Sequence, residues 1–163
     1  MKYENKIRKY LEREFCDAYN YLLVVDPVKT YGLVAVIASA AESLSNGEVN
    51  LDVTYLIGLG IICDEEKLAI PLDELRKSNA QEIVKELELC AGMYMREEAS
   101  RYWIQSISKR EYQAILHVLE KYKGTITNPA GEELNANDFR SLAKAYRKVP
   151  RQPYPATPKD RTF

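Results

Sequence analysis

Histidine and cysteine, the side chains that most often bind metals or act as nucleophiles, are scarce in this chain. His117 is the single histidine among 163 residues, and no glutamate stands three positions before it. A di-iron site in a helical bundle uses two Glu-x-x-His elements, and a structural zinc site uses closely spaced Cys and His ligands. We therefore expect no metal and no other cofactor. His117 falls on the polar side of its predicted helix, which indicates an exposed histidine.

The three cysteines do not fit a disulfide framework. Cys16, Cys63 and Cys90 are odd in number and far apart in the sequence, which is typical of reduced thiols in a cytosolic protein. The first ten residues are polar and charged, so we expect no signal peptide and a cytoplasmic location. Neither a glycine-rich phosphate loop nor a catalytic constellation is recognisable. A small enzyme therefore stays an unsupported alternative, and it would need an apolar pocket beside the central helix.

Basic residues are missing from residues 30–66, which hold six acidic residues and no lysine or arginine. Residues 124–163 show the opposite bias, with seven basic and four acidic residues. The whole chain has a net charge of −1, so no bulk field favours nucleic acid or an anionic membrane, and we expect no membrane contact. The acidic middle of one copy and the basic end of another attract each other, which favours self-association.

A stretch without any charge, residues 31–41, lies at the centre of the predicted fold. A helix of this composition is apolar on nearly every face, and it is too short to span a bilayer core, which needs about 20 residues. We therefore predict a buried central helix over about residues 27–45, with Asp26 as its N-cap and Pro27 at its first position. The predicted fold class is mainly α, with five or six helices around this central apolar helix.

Apolar stripes and capping signals predict the other helices. Two capping boxes, begun by Ser78 and Ser108, mark the starts of a long helix and of the helix after it. A strand is the alternative prediction for residues 49–57, although a helix is favoured there. The predicted helices cover about residues 2–25, 27–44, 49–57, 78–105, 108–123 and 135–146.

One small β-hairpin is predicted near residues 61–70, where two apolar runs flank a polar turn. The short helix and this hairpin are similar in outline to a helix-turn-helix followed by a wing, and residues 56–72 resemble part of a winged-helix domain. The resemblance covers residues 27–75 and implies a shape that many nucleic-acid-binding proteins share. Because residues 30–66 lack the Lys and Arg side chains that contact phosphates, we expect a winged shape here to contact protein instead.

The final fourteen residues, 150–163, contain four prolines and are predicted to form an extended basic tail. The preceding residues 1–149 are predicted to form a single helical domain. Proline-rich segments with aromatic and basic side chains serve as docking peptides in many complexes. The candidate partner-binding residues of the tail are Arg151, Pro153, Tyr154, Pro155, Arg161 and Phe163.

The leading functional hypothesis is a non-enzymatic protein–protein interaction module that acts as a regulator or adaptor. Twelve tyrosines against one tryptophan and three phenylalanines, together with the tail and the polarised charge, favour binding of another protein or of a second copy. The alternative is nucleic-acid binding through the basic C-terminal helices. Its candidate contacts are Lys109, Arg110, Arg140, Lys144, Arg147 and Lys148.

Overall fold

The computed structural model describes residues 2–63 and 70–147, in which eight helices and two short strand pairs form. The mainly α fold class predicted from the sequence is confirmed. The elements are α1 (Glu4–Glu14), α2 (Cys16–Val25), α3 (Pro27–Ser45), α4 (Leu51–Gly58), β1 (Ile62–Cys63), β2 (Ile70–Pro71), α5 (Leu72–Lys77), α6 (Ala80–Ser106), α7 (Lys109–Tyr122), β3 (Ile126–Thr127), β4 (Glu133–Leu134) and α8 (Ala136–Tyr146).

Helix α3 lies at the centre of the fold, and its bounds agree with the predicted residues 27–45. Helices α1, α2, α4 and α6 all pack on it. From Leu33 onward its apolar residues are largely inaccessible, with Val36, Ile37 and Ala40 fully buried. Burying an aliphatic side chain of this size stabilises a fold by about 1.5–3 kcal/mol, so this helix is the main contributor to the core.

The segment predicted as one helix over residues 2–25 is two helices, because the backbone leaves helical geometry at Phe15 (φ −132°, ψ 40°). The Phe15 ring packs directly on the backbone of Gly92 in α6. A Cβ atom at Gly92 would lie 2.1–2.5 Å from that ring, so glycine is what allows the close approach. This break and the short α5 explain why eight helices form where five or six were expected.

The strands near residues 61–70 pair in parallel, with Ile62 opposite Ile70. Residues 64–69, which contain the predicted turn, lie outside the described residues. The prediction of a hairpin at this place is wrong, and the pair does not form the antiparallel wing of a winged-helix domain. Helix α4 precedes this strand pair and α5 follows it, and both helices pack on α3.

An antiparallel pair does form further along the chain, between β3 and β4. Its turn contains Asn128, whose side-chain oxygen accepts hydrogen bonds from the backbone N–H groups of Ala130 (3.0 Å) and Glu132 (2.9 Å). The sequence predicts this turn but not the strands, which are two residues each. The hairpin leads the chain from α7 into α8.

Two hydrophobic clusters hold the described helices together, and α6 contributes to both. The larger cluster surrounds α3. In the smaller one, the ring of Phe139 in α8 stacks on Tyr112 of α7, with ring centroids 4.9 Å apart, and Trp103 of α6 lies 5.8 Å away. Helix α6 therefore connects the central bundle to the α7–α8 pair. The division into a domain of residues 1–149 and a tail stays a prediction.

Candidate functional site

The junction between α2 and α3 is a tight corner fixed by Asp26. The Asp26 side chain accepts a hydrogen bond from the Lys29 backbone N–H at 3.3 Å, and its backbone carbonyl accepts one from the Thr30 hydroxyl at 2.8 Å. Pro27 occupies the first position of α3, where its fixed φ angle favours the start of a helix. The N-cap predicted from the sequence is therefore present, and it determines which way the first turn of α3 faces.

Both charged side chains of this corner point into the protein. Asp26 is 5% exposed and Lys29 is 3% exposed. The Lys29 ammonium lies 2.5 Å from a carboxylate oxygen of Glu98 in α6, and the Tyr102 hydroxyl donates a hydrogen bond to Asp26. Arg101 approaches the other oxygen of Glu98 at 3.0 Å. These contacts attach the start of α3 to the middle of α6.

Aromatic rings enclose the ion pair. The Lys29 ammonium lies 5.5 Å from the ring centroid of Tyr102 and 5.9 Å from that of Tyr94, distances that suit cation–π attraction. Among the described residues, the buried Tyr94 hydroxyl has no hydrogen-bond partner. Burial, and next the nearby Glu98 carboxylate, raise the pKa of Tyr94 above its ordinary value. This tyrosine therefore stays neutral in the neutral pH range.

The space left beside Lys29, Tyr94 and Glu98 is small. Its volume is about 10 Å³, and the other walls come from Leu22, Leu33 and neighbouring residues. A cavity must have a volume of roughly 10–15 Å³ to hold one water molecule. This cavity beside the central helix is therefore about the size of one water molecule, and its accessible lining is mainly apolar.

The large apolar side chains of the same corner point outward. Val24 is 82% exposed, Val28 60%, Tyr31 57% and Val25 43%. We call these four residues the corner surface. Single exposed apolar side chains are ordinary, but grouped ones mark binding sites on many proteins. This surface is not expected from the sequence, because the uncharged composition of α3 predicts a helix that is buried on all sides.

The corner surface has no charge of its own. Residues 18–41 contain two charged residues, Asp26 and Lys29, and both are buried. Every other side chain that this stretch presents to solvent is neutral. The sequence does carry one signal of this arrangement: two valines before Asp26-Pro27 and one valine after it occur in a segment with almost no charge. What it does not reveal is that the lysine points inward, because its partner Glu98 is 69 positions away.

The candidate nucleic-acid contacts separate into two groups. Lys109, Arg110 and Lys144 are exposed. Arg140 pairs with Glu120 at 2.9 Å, and Arg147 is half-buried and hydrogen-bonded to the backbone of another helix.

Arg147 has a structural role that the sequence did not indicate. Its guanidinium donates hydrogen bonds to the backbone carbonyls of Ile107 (3.0 Å) and Ile104 (3.4 Å) at the end of α6, and it lies over the Tyr112 ring at 5.2 Å. Lys148, the sixth candidate, lies outside the described residues. The candidate partner-binding residues of the tail also lie outside them: Arg151, Pro153, Tyr154, Pro155, Arg161 and Phe163.

The remaining candidate residues are found as single side chains. His117 is exposed, as predicted, and Cys16, Cys63 and Cys90 are free thiols. Within residues 2–63 and 70–147 no group of three His, Cys, Asp or Glu side chains is arranged to hold a metal ion. None of the helices in those ranges has the length and hydrophobicity that a membrane span requires.

Similarity to known proteins gives no functional assignment for the corner surface or for the rest of the chain. Comparisons with protein-family models, with curated proteins and with solved structures find no match. A functional conclusion therefore rests on the geometry of the corner: two charged side chains buried on its inner side and four large apolar side chains exposed on its outer side.

Proposed function

We propose that this chain is a protein–protein interaction module, a regulator or adaptor, and that it docks its partner on the corner surface. The observation that carries the proposal is the exposure of Val24, Val28 and Tyr31 beside a lysine that is buried. Apolar and aromatic side chains at the centre of an interface supply most of the binding free energy in many complexes.

The orientation of α3 supports a binding role because it is unfavourable for an isolated molecule. Val28 and Lys29 are successive helical positions, which point about 100° apart, and the structure exposes the valine while it buries the lysine. Burial of the Lys29–Glu98 ion pair has a desolvation cost of several kcal/mol per ion. A docked partner would cover the valine and offset part of that cost.

The tail belongs to the same proposal as a second docking element. Arg151, Tyr154 and Phe163 combine charge and aromatic area in a proline-rich segment that follows α8. A docking surface and a docking peptide in one chain suit an adaptor, which contacts two partners at once. A cytoplasmic location, expected from the three separated cysteines, is also part of the proposal.

A photo-crosslinking amino acid at position 24 tests the docking surface in living cells. Position 118 is the matched control, because Val118 is also an exposed valine (52%) and lies on α7, away from the corner. We expect protein adducts of defined mass from position 24 and none of that mass from position 118. Adding Val28→Glu should abolish the adducts from position 24. Equal labelling from both positions, or adducts that survive Val28→Glu, would contradict the proposal.

Nucleic-acid binding stays the alternative function, supported by the exposed Lys109, Arg110 and Lys144. Helices α7 and α8 run side by side, and Arg147 at the end of α8 contacts Tyr112 near the start of α7. Lys144 therefore lies toward the same end of the pair as Lys109 and Arg110. This alternative predicts an affinity for DNA or RNA that falls steeply with salt and falls further in a triple Ala variant of these residues. Absence of binding at low salt would end it.

A further inference from the structure

We infer that the partner on the corner surface is a second copy of this chain, so that the protein forms a twofold-symmetric dimer through Val24, Val25, Val28 and Tyr31. This inference rests on the proposed docking role of that surface. Three observations carry it: the surface is neutral, its borders are neutral, and the other exposed apolar residues of the described chain have charged neighbours.

In a twofold dimer a surface packs against its own copy, so a charge near the symmetry axis faces the same charge of the other copy. Like charges that face each other across an interface repel, and this weakens association. The corner surface avoids this repulsion because Asp26 and Lys29 point inward, and because the flanking residues, the exposed Asn20 and the half-buried Tyr21, are neutral. A neutral apolar patch is complementary to itself in charge.

The border of the surface beside Tyr31 is also neutral overall. Glu12 and Arg8 of α1 lie on that side, where both act on the buried Tyr19 hydroxyl together with Tyr31. They form an i, i+4 ion pair with 4.0 Å between the charged atoms. Because the pair carries no net charge, two copies can approach along this edge without repulsion.

The other exposed apolar side chains differ in their surroundings. Val118 and Tyr122 of α7 lie next to Glu120 and Lys121, and the exposed Val49 follows the exposed Glu48. Such mixed surfaces suit a partner with complementary charges, whereas the corner surface offers nothing for a charged partner to pair with. A lipid surface is disfavoured as the occupant, since interfacial helices place Lys and Arg around their apolar face.

The expected dimer is weak and reversible. A stable interface buries about 800 Å² on each partner, more than four side chains supply. The flanking Asn20, Tyr21 and Ala35 must therefore take part, and we expect a dissociation constant in the micromolar range. Tyr31 suits the rim of such an interface, because its ring adds apolar contact and its hydroxyl can stay in water.

Sedimentation equilibrium of the purified full chain from about 1 µM to about 1 mM tests the dimer. The wild type should rise from the monomer mass of 18.7 kDa toward twice that value. Val28→Glu should weaken association at least tenfold. This variant should fold, because the residue is exposed and a negative charge is favourable in the first turn of a helix. Val118→Glu, at a comparably exposed position on α7, should behave as the wild type.

A wild type that stays at 18.7 kDa over this range overturns the inference. So does a Val118→Glu variant that dissociates as much as Val28→Glu. A monomeric wild type whose position 24 still crosslinks to a different protein would overturn the dimer and leave the proposed docking function standing. Unchanged melting temperatures of both variants, measured at a concentration where all are monomeric, separate loss of association from loss of folding.

Discussion

At the scale of single residues, the buried pair of Lys29 and Glu98 is the most consequential contact of the fold. The two side chains are 4% and 1% exposed, so removing one charge leaves the other desolvated. We expect Lys29→Met to lower the free energy of unfolding by about 3–5 kcal/mol, measured by chemical denaturation. Glu98 would keep Arg101 as a partner, which places the expected loss toward the lower end of that range.

The double variant Lys29→Met/Glu98→Gln is the control for this prediction. It removes both charges, so it should recover part of the stability that Lys29→Met loses. A loss below about 1 kcal/mol in Lys29→Met would show that the ion pair does not hold the corner in place.

Tyr19 makes the stability of the fold depend on pH in the alkaline range. Its ring is fully buried, its hydroxyl has no hydrogen-bond partner among the described residues, and burial raises its pKa from 10.0 to about 12. The folded state therefore keeps a proton that the unfolded state loses above pH 10. Stability is complete below pH 10 and falls as the pH rises to 12, by on the order of 2 kcal/mol from this residue.

Tyr19→Phe isolates that contribution. The variant loses no hydrogen bond within the described chain, so its stability at pH 7 should match or slightly exceed that of the wild type. Its stability should decline less between pH 10 and pH 12. Burial also raises the pKa of Tyr55, Tyr94 and Tyr146, so some alkaline loss should remain. Identical pH curves for variant and wild type would contradict the assignment.

At the scale of the elements, the contact between Phe15 and Gly92 decides how α1 and α2 meet α6. The Phe15 ring lies against Gly92 on one side, and the Arg96 guanidinium covers it at 4.9 Å from the ring centroid. Gly92→Ala would gain about 1 kcal/mol of helix propensity but would push the ring out of place. We expect a net loss of about 1–3 kcal/mol in the free energy of unfolding.

Gly58→Ala is the matched comparison for Gly92→Ala. Gly58 also lies in a helix, but no atom comes within 4 Å of a Cβ atom at that position. Thermal or chemical unfolding should therefore show no loss for Gly58→Ala. A Gly92→Ala variant as stable as the Gly58→Ala variant would mean that the ring shifts without cost.

The helix bounds show what the sequence could predict. Helix α3 starts at Pro27 and ends at Ser45, as its cap and uncharged composition indicate, and Ser108 forms the predicted capping box with Glu111. The long helix α6 is capped by Asn79 rather than by Ser78, one position later than expected. Local signals such as caps and turns were readable because they depend on residues close in the sequence.

The features that depended on distant contacts could not be predicted. The break at Phe15 arises from Gly92, 77 positions along the chain, and the stripe of apolar residues continues across it without a proline or glycine. The parallel pairing of β1 and β2 lies between α4 and α5, which both pack on α3. The inward orientation of Lys29 follows from Glu98. In each case a tertiary contact overrides a reasonable local interpretation.

At the scale of the whole molecule, the α2–α3 corner buries its charged side chains and exposes its large apolar ones, which is the reverse of an ordinary helix pair. Buried ionic contacts on the inner side hold α3 against α6, and four apolar side chains stay in solvent on the outer side. The fold therefore maintains the corner surface through its own interior. Arg147 and Phe139 also contact α6. The helix that fixes the corner therefore also holds α8 in place.

Methyl NMR of the purified full chain at increasing concentration tests whether two copies of the protein associate through the corner surface. The methyl signals of Val24, Val25 and Val28 should shift progressively as the protein associates, while those of the exposed Val118 stay constant. Corner signals that do not move up to about 1 mM, or shifts of equal size at Val118, would contradict the account.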